Sequence, residues 1–398
     1  MNKGKKLGAS EVKIRNRLFL LNLLRQNYRI TRRELSKLSG LDPSTVTKIT
    51  KYFIAKNLCR ETVTIKRKLA GRRPIVLELN KDAYKSVVVN IGVSFTEIGI
   101  GFFDGKVKVI DRIDSDKNFK NLFNEIFEKA AKIVQKIGKD RFLGYSFSVP
   151  GMVDIDKAFI IELPHLNVRE LDLKAMIPSE SDKNSIHIDN EANLSLIAEK
   201  AFNDSLEGKH NIVFVNLSEG IGCGVMLEDE IYRGNQYTAG EFGHMTVKLN
   251  GEKCYCGNTG CWETVASTEA IVKTASSKGI NLEGRYYSEK FQDLATTYRG
   301  DPAKERLLKI VEENLASGIL NIINGYDPEI IVMGGAAAEL PDNSMKRIQK
   351  IANQKALYAT RGKVKVLRSV LGSYGERSSN IIGAALYAVQ RNLEKIVM

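Results

Sequence analysis

Residues 241–263 read Glu-Phe-Gly-His-Met-Thr-Val-Lys-Leu-Asn-Gly-Glu-Lys-Cys-Tyr-Cys-Gly-Asn-Thr-Gly-Cys-Trp-Glu, and no other stretch of the chain is as informative. It gathers one of the four histidines and three of the five cysteines. Imidazole and thiolate groups in this number can complete a closed tetrahedral zinc site, which predicts a structural metal. The candidate ligands are His244, Cys254, Cys256 and Cys261. Glu241 and Glu263 would then sit at the edges of a rigid loop, where they could present carboxylates to a ligand.

The cysteines could instead be a chance cluster, or they could form a disulfide in a secreted protein. The basic start of the chain, residues 1–8, has no apolar segment behind it, so it is not typical of a secretory signal. No apolar run approaches the roughly 18–20 residues of a membrane span. The sequence therefore favours a metal over a bridge, and it predicts a cytoplasmic protein that makes no use of a membrane.

The positive charge is concentrated at one end of the chain. The 398 residues carry a net charge of +13, but residues 1–80 alone carry +15 and the remainder carries −2. A basic module joined to a nearly neutral body is typical of nucleic-acid binding. The alternative, a solubilising tail, would be low in complexity, and this segment is not. The chain is long enough for two or three hydrophobic cores.

The basic segment has the pattern of a helix-turn-helix. Residues 12–27 have apolar residues at helical spacing, and Thr31 with Glu34 forms a capping box that begins a second helix. Gly40 suits a left-handed C-terminal cap, and Asp42 followed by Pro43 suits the start of a third helix over about 43–57. This last helix would bury one apolar face. Its other face offers hydroxyl and lysine side chains for double-stranded DNA, namely Ser44, Thr45, Thr47, Lys48 and Lys51.

Residues 61–79 are expected to form a wing. Two runs of β-forming residues flank a basic turn in which Arg72 and Arg73 could enter a minor groove. Two alternatives remain: these arginines belong to a solvated linker, or the whole segment 12–80 is a small helical domain that binds protein.

The rest of the chain alternates strands and helices. Residues 86–104 predict a strand, a glycine turn and a second strand, and residues 211–234 repeat that arrangement. The repetition indicates two related α/β lobes.

Taken together, these motifs resemble the ROK family, named for repressor, open reading frame and kinase. The resemblance rests on Glu-x-Gly-His followed by Cys-x-Cys-x4-Cys-x-Glu in residues 241–263. A glycine signature upstream also fits at Leu217, Gly220, Ile221, Gly222, Gly224, Val225, Gly234, Gly240, Gly243 and His244. The basic Gly-Arg-Arg-Pro turn is similar to that of the ROK repressors.

The resemblance implies an α/β protein with a winged helix-turn-helix over 1–80 and a two-lobed actin-like, hexokinase-like (ribonuclease H-like) ATPase fold over 81–398. Lobe 1 would span about 81–195 with the C-terminal helix 380–398, and lobe 2 about 196–379. A monosaccharide would lie between the lobes. The residues that the family would use to bind it are Gly151, Asn190, Glu191, Glu241, His244 and Glu263; His165 could tune which sugar fits.

Simpler roles are open for these residues. Asn190 could be only a helix cap, with Glu191 favouring the helix dipole. Glu241 and Glu263 could only support the metal loop from behind its ligands. Glycines at 334 and 335, which resemble the family's turn on the adenosine side, could be required by the fold alone.

The chain departs from the ROK kinases where phosphate chemistry takes place. Kinases of the family usually carry Asp-x-Gly-Gly-Thr where residues 90–94 read Asn-Ile-Gly-Val-Ser. The change removes a charge that organises metal and phosphate, and Val93 adds bulk where glycine allows close approach. Glu191 stands where the kinases place an aspartate as general base. Its extra methylene would shift the carboxylate away from the position needed to abstract the hydroxyl proton.

We therefore expect a sugar-responsive transcriptional regulator that represses carbohydrate-utilisation genes and acts as a homodimer or higher oligomer, and we do not expect an enzyme. Glucose, N-acetylglucosamine, mannose and xylose all remain candidate effectors. One alternative is an active glucose or N-acetylglucosamine kinase that uses ATP and Mg²⁺, with Glu191 as general base. Another is a zinc-stabilised scaffold that binds no sugar.

Overall fold

The N-terminal module of the protein, seen in a computed structural model that describes residues 8–63, 75–115, 118–177 and 185–398, is a three-helix unit with a small antiparallel sheet. The sheet order is β1-β3-β2. The predicted wing strands are present, whereas the turn between them, with Arg72 and Arg73, lies outside the described residues. The elements are α1 (Ala9–Asn27), β1 (Arg29–Thr31), α2 (Arg32–Ser39), α3 (Pro43–Ala55), β2 (Cys59–Val63) and β3 (Ile75–Leu79).

The predicted helix signals are all present in this module. The Glu34 amide donates to Thr31 Oγ1 at 3.2 Å, and the Thr31 amide donates to Glu34 Oε2 at 2.9 Å. Gly40 ends α2 with φ 67°, and Asp42 Oδ1 accepts the Ser44 amide at 2.6 Å. Helix α3 stops at Ala55, slightly earlier than expected, because Asn57 takes a left-handed conformation with φ 58°.

A five-stranded mixed sheet follows, in the order β11-β7-β4-β5-β6, with a small sheet β10-β9-β8 beside it. Strands β11, β7 and β4 are parallel, while β5 and β6 are antiparallel to their neighbours. The elements of this part are β4 (Lys85–Ile91), β5 (Phe95–Phe102), β6 (Val107–Asp114), α4 (Phe119–Ile137), β7 (Phe142–Val149), β8 (Met152–Asp154), β9 (Phe159–Leu163), β10 (Val168–Asp172), α5 (Leu173–Met176), β11 (Ile186–Asn190) and α6 (Glu191–Phe202).

A second five-stranded sheet repeats the first strand for strand. Its order is β14-β13-β12-β15-β16, again with an antiparallel hairpin followed by parallel strands. This match confirms the predicted internal repeat. The remaining elements are β12 (Ile212–Leu217), β13 (Ile221–Leu227), β14 (Glu230–Ile231), α7 (Glu263–Ala266), α8 (Thr268–Ser277), α9 (Tyr287–Thr297), α10 (Pro302–Tyr326), β15 (Ile330–Gly335), α11 (Asp342–Lys355), β16 (Lys365–Arg368) and α12 (Ser379–Val397). The exact boundaries of module and lobes stay predictions.

Helices α6 and α12 pack closely against each other beside the sheets. A Cβ atom on Gly383 would lie 1.9 Å from the Leu194 carbonyl oxygen, so glycine is what permits this approach. Ser379 and Ser195 share a hydrogen bond at 3.0 Å near the start of α12. Because α6 begins at Glu191, α12 packs about one turn along the helix that carries this candidate sugar-binding residue.

The far end of α12 lies in the core of the N-terminal module. Leu393 and Ile396 belong to the same buried cluster as Leu21 and Phe53. The Val397 carbonyl oxygen accepts hydrogen bonds from Arg17 Nη1 at 2.7 Å and from the Tyr52 hydroxyl at 3.2 Å. The module is thus packed onto the body through this helix. Among the described residues, no helix combines the length and the apolar character needed to cross a membrane.

Candidate ligand cleft and metal loop

A cleft of about 400 Å³ opens between the two large sheets, and all six predicted sugar-binding residues line it. One group comes from the end of β11, the start of α6 and the turn after β7. The other comes from the loop between β14 and α7 and from the first residue of α7. We call this set the carboxylate wall: Gly151, Asn190, Glu191, Glu241, His244 and Glu263. The fold therefore brings together residues that are up to 112 positions apart in sequence, from Gly151 to Glu263.

Asn190 caps α6 and also fixes the cleft floor. Its Oδ1 accepts the Ala192 amide at 2.8 Å, and its Nδ2 donates to the Gly151 carbonyl oxygen at 2.9 Å. Gly151 cannot carry a side chain here, because a Cβ would lie 2.2 Å from the Glu162 carbonyl oxygen. The capping role and a position in the cleft are thus compatible.

Glu191 is a buried carboxyl group in the first turn of α6. Burial raises its pKa to about 7, and the nearby Glu219 carboxylate adds to this rise. The Asn216 amide opposes the rise by donating to Glu191 Oε1 at 2.8 Å. Near neutral pH this group can therefore either accept or donate a hydrogen bond.

Glu263 and Glu241 complete the acidic surface. Glu263 Oε2 accepts the Ile221 amide at 2.8 Å, and burial raises the Glu263 pKa to about 7. Glu241 lines the cleft but is exposed, and partial desolvation of its carboxylate by the surrounding protein raises its pKa. Paired carboxyl oxygens of this kind suit a ligand that is rich in hydroxyl donors.

The four predicted metal ligands converge in the loop between β14 and α7. Their donor atoms all lie within 4.8 Å of one another. The Sγ atoms of Cys256 and Cys261 are 3.7 Å apart, and Cys254 Sγ is 3.6 Å from His244 Nδ1. Zinc bonds of about 2.3 Å to sulfur and 2.0–2.1 Å to nitrogen, in a tetrahedron, require separations of about 3.8 and 3.6 Å. These residues therefore fit a tetrahedral metal ion, and the described cysteines are all free of disulfides.

The loop backbone is shaped for this cluster. Isolated β-bridges join Thr246 to Cys261 and Lys253 to Thr259. Between them, Gly257 and Gly260 adopt φ values of 93° and 73°, which a side chain would strain. At Gly260 a Cβ would also lie 1.7 Å from the Lys248 carbonyl oxygen.

The two nitrogens of His244 face in different directions. While Nδ1 points at Cys254, Nε2 is 3.0 Å from the Tyr255 hydroxyl and 3.7 Å from Glu241 Oε2. The imidazole thus bridges the metal loop and the cleft, as the double role predicted for it requires. His165, the other histidine of the cleft, has its pKa lowered by burial.

Sequence reasoning missed several residues of this region. Arg233 donates through Nε to Asp189 Oδ2 at 3.1 Å, and Asp189 Oδ1 accepts the Asn190 amide at 2.8 Å. This buried ion pair holds the strand end that carries Asn190. Tyr255 is the residue for which a signal existed, since it lies between two predicted metal ligands.

Next to the cleft, the polar groups of a second set of residues are engaged by contacts within the protein. Ser94 Oγ donates to Glu219 Oε1 at 2.7 Å between the two lobes, and Asn380 Nδ2 donates to Asn90 Oδ1 at 3.0 Å. A Cβ on Gly334 would lie 2.2 Å from the Phe214 ring, and Gly335 has φ 60°, so the fold itself requires both glycines. We call this set the turn wall: Asn90, Ser94, Glu219, Gly334 and Gly335.

Five of the predicted DNA-contacting residues lie on α3. Ser44, Lys48 and Lys51 are exposed, whereas Thr45 and Thr47 are half-buried. Thr47 Oγ1 donates to the Pro43 carbonyl oxygen at 2.8 Å, so its hydroxyl already has one partner.

These features define a class: a two-lobed α/β body with a ligand cleft and a Cys/His loop, joined to a winged helix-turn-helix. The chain belongs to the ROK family, whose profile matches residues 87–391, and a profile for winged helix-turn-helix DNA-binding domains matches residues 15–58. The predicted family and fold class are thereby confirmed.

Relatives of the chain include regulators of sugar use. A putative xylose repressor of Caldicellulosiruptor sp. (strain Rt8B.4) is 30% identical over 359 residues, covering 86% of this chain and 88% of the relative. The N-acetylglucosamine repressor of Escherichia coli O157:H7 is 27% identical over 371 residues, covering 90% of each chain.

Solved structures show the same fold. A ROK family transcriptional regulator, a homologue of the E. coli MLC protein, matches with a TM-score of 0.76 and 24% identity, covering 96% of this chain and 99% of that one. The ROK hexokinase from Thermus thermophilus matches with a TM-score of 0.59 and 23% identity, covering 77% of this chain and 98% of that one. The shorter coverage reflects the N-terminal module, since 77% is close to the share of the chain that follows residue 80.

Proposed function

We propose that the protein is a sugar-responsive transcriptional repressor whose kinase-like body binds a monosaccharide and whose winged helix-turn-helix binds an operator in double-stranded DNA. The observation that carries this proposal is α12, which packs on the cleft-lining helix α6 and ends in the core of the DNA-binding module. A ligand that moves the cleft therefore acts on the module through packed structure rather than through a tether. The proposal places the protein in the cytoplasm, with the DNA.

The carboxylate wall is the proposed sugar site. Glu191, Glu241 and Glu263 supply hydrogen-bond acceptors for the hydroxyl groups of a monosaccharide. Asn190 and Gly151 form the floor of the cleft. His244 adds Nε2 to the same surface. The relatives that are named as repressors for xylose and for N-acetylglucosamine support a sugar as the effector.

The proposed metal is zinc with a structural role. Three thiols and an imidazole nitrogen at tetrahedral separations favour zinc over harder ions such as magnesium. His244, Cys254, Cys256 and Cys261 would hold it, and all four positions would be filled by protein. Such an ion stabilises the loop that presents Glu241, His244 and Glu263 and takes no part in chemistry.

We further propose that the protein is not a kinase. The internal hydrogen bonds of the turn wall already engage the polar groups at 90 and 94, where the kinases approach phosphate. Phe95 also packs against Tyr286 and Tyr374 at centroid distances of 5.7 and 5.4 Å, which joins β5 to the other lobe. ATP and Mg²⁺ are therefore not proposed as cofactors.

The proposed DNA contacts are on α3, with the exposed Lys48 and Lys51 on phosphates. The exposed Ser44 and the half-buried Thr45 and Thr47 are proposed for base edges. Arg72 and Arg73, outside the described residues, are proposed for the minor groove. A homodimer would pair two such modules on a palindromic operator.

The test is operator binding with and without sugar. An operator is first selected in vitro from random double-stranded DNA, and its affinity is then measured with xylose, N-acetylglucosamine, glucose or mannose present. We expect one of these sugars to change operator affinity by about 5- to 150-fold, the usual range of allosteric coupling. Invariant affinity with all four sugars would refute a sugar-responsive repressor.

Two variants separate the parts of the proposal. Glu241→Gln should abolish the sugar effect while keeping the operator affinity of the sugar-free protein. Lys48→Ala with Lys51→Ala should reduce the slope of log affinity against log salt by about 2, because each lysine neutralises about one phosphate. An unchanged slope would remove these lysines from the DNA contact.

A further inference from the structure

Tyr255 occupies a special place in the cleft, between the two histidines that line it. Its hydroxyl lies 3.0 Å from His244 Nε2. Its ring stands nearly perpendicular to both imidazoles, with centroids 5.2 Å from His244 and 5.3 Å from His165. The neighbouring Cys254 and Cys256 belong to the metal cluster, so the backbone on both sides is held in place.

The side chain is only partly enclosed. Tyr255 is 53% exposed, and its only hydrogen bond among the described residues is the one to His244. Rotation about its side-chain bonds would carry the hydroxyl into solvent without disturbing the loop, since exposed side chains change rotamer within nanoseconds.

His244 Nε2 can donate a good hydrogen bond to only one acceptor at a time, either Tyr255 or a sugar hydroxyl. Its Nδ1 faces Cys254 Sγ at 3.6 Å, so a metal bound there leaves the imidazole proton on Nε2. Nε2 is then a donor, and the Tyr255 oxygen is its acceptor. A sugar hydroxyl oxygen is an acceptor of the same kind, and one N–H group makes one good hydrogen bond.

We propose that Tyr255 is a gating residue of the sugar site: its hydroxyl holds the hydrogen bond from His244 Nε2 that a sugar hydroxyl requires, so sugar binding must displace the tyrosine. The inference rests on the proposed sugar site and adds a determinant of its affinity. Displacement also moves the Tyr255 ring away from His165, which changes the wall that faces the sugar. Sugars that form the His244 hydrogen bond offset the cost of this displacement, and sugars that lack a hydroxyl at that point do not.

The decisive variant is Tyr255→Phe. Phenylalanine keeps the ring contacts with both histidines but cannot accept the Nε2 proton, so the cost of displacement falls. We expect sugar affinity to rise about three- to tenfold, the equivalent of one ordinary hydrogen bond. Operator affinity without sugar and the metal content should be unchanged. Tyr232→Phe is the matched control, because Tyr232 is 50% exposed and lies outside the cleft.

The measurement is calorimetric titration of the metal-loaded full-length protein with xylose, N-acetylglucosamine, glucose and mannose. Tighter binding by Tyr255→Phe, with Tyr232→Phe equal to the unmodified protein, supports the gate. Equal or weaker binding by Tyr255→Phe, when the unmodified protein does bind one of these sugars, overturns the gate alone. No binding of any sugar by the unmodified protein overturns the proposed sugar site and the gate with it.

Discussion

The carboxylate wall and the turn wall use their polar groups in opposite ways. On the turn wall, Ser94 and Asn90 find partners within the protein, and they tie the lobes and α12 together. On the carboxylate wall, Glu191 and Glu263 each accept one hydrogen bond from the protein and are held at a raised pKa by burial. The polar groups of one set are used up by the structure of the protein, whereas those of the other set keep capacity for further hydrogen bonds.

The largest effect should come from breaking the metal loop, on which half of the carboxylate wall depends. In Cys256→Ser we expect the melting temperature to fall by about 10 °C or more and sugar binding to disappear, because structural zinc stabilises small sites by roughly 10 kcal/mol. Metal content by mass spectrometry and a thermal melt check this. The control is Cys59→Ser, a change in the core of the N-terminal module, and this variant should still bind the metal. A metal-free protein that melts at the unaltered temperature would contradict the prediction.

A smaller effect is expected from neutralising Glu191, a buried carboxyl group of the same wall. Glu191→Gln keeps an acceptor for the Asn216 amide but cannot become a carboxylate. Sugar affinity should fall about tenfold or more, in line with the loss of a charged hydrogen bond. Calorimetry measures it, and Glu376→Gln, at an exposed position, is the control. Unchanged affinity would exclude Glu191 from the sugar site.

The same variant should alter the dependence of stability on pH. Because burial raises the pKa of Glu191 from an ordinary 4.5 to about 7, the folded protein holds a proton that the unfolded chain has already released between these values. The stability from this group is fully present below pH 4.5 and is lost as the pH rises through about 7. Between pH 5 and pH 7.5 the melting temperature of Glu191→Gln should therefore fall less than that of the unmodified protein. A difference of about 1 kcal/mol or more in unfolding free energy corresponds to a few degrees. Parallel curves would contradict the raised pKa.

The smallest effect is expected from returning two positions of the 90–94 turn to the residues of the kinases. Asn90→Asp combined with Val93→Gly returns the residues that the kinases carry at those positions. We expect ADP release to stay at background with ATP, magnesium and each of the four sugars, because the Ser94–Glu219 bond and the aromatic contacts of Phe95 persist. Sugar-dependent ADP release by this variant would show that the contacts of the turn wall do not prevent phosphate chemistry.

Local features were readable from the sequence, whereas contacts between distant segments were not. The capping box at Thr31, the Asp42 cap and the His/Cys cluster depend on spacings of a few residues, and each is present as predicted. The Ser94–Glu219 bond joins residues 125 positions apart, and no periodicity or motif encodes such a pair. Tyr255 lay inside the motif, but its contacts depend on where the fold brings His165.

Helix α12 also limits how the two functions of the molecule can evolve apart. Its 19 residues span about 28 Å, so a tilt of about 5° at the cleft end displaces its other end by about 2.5 Å. A base-edge hydrogen bond tolerates only a few tenths of an ångström. Arg17, stacked 3.6 Å from the Tyr52 ring while bonded to the last turn, would carry that displacement into α1 and α3 together. An exchange of DNA-binding modules between relatives would therefore have to bring the matching end of the C-terminal helix with it.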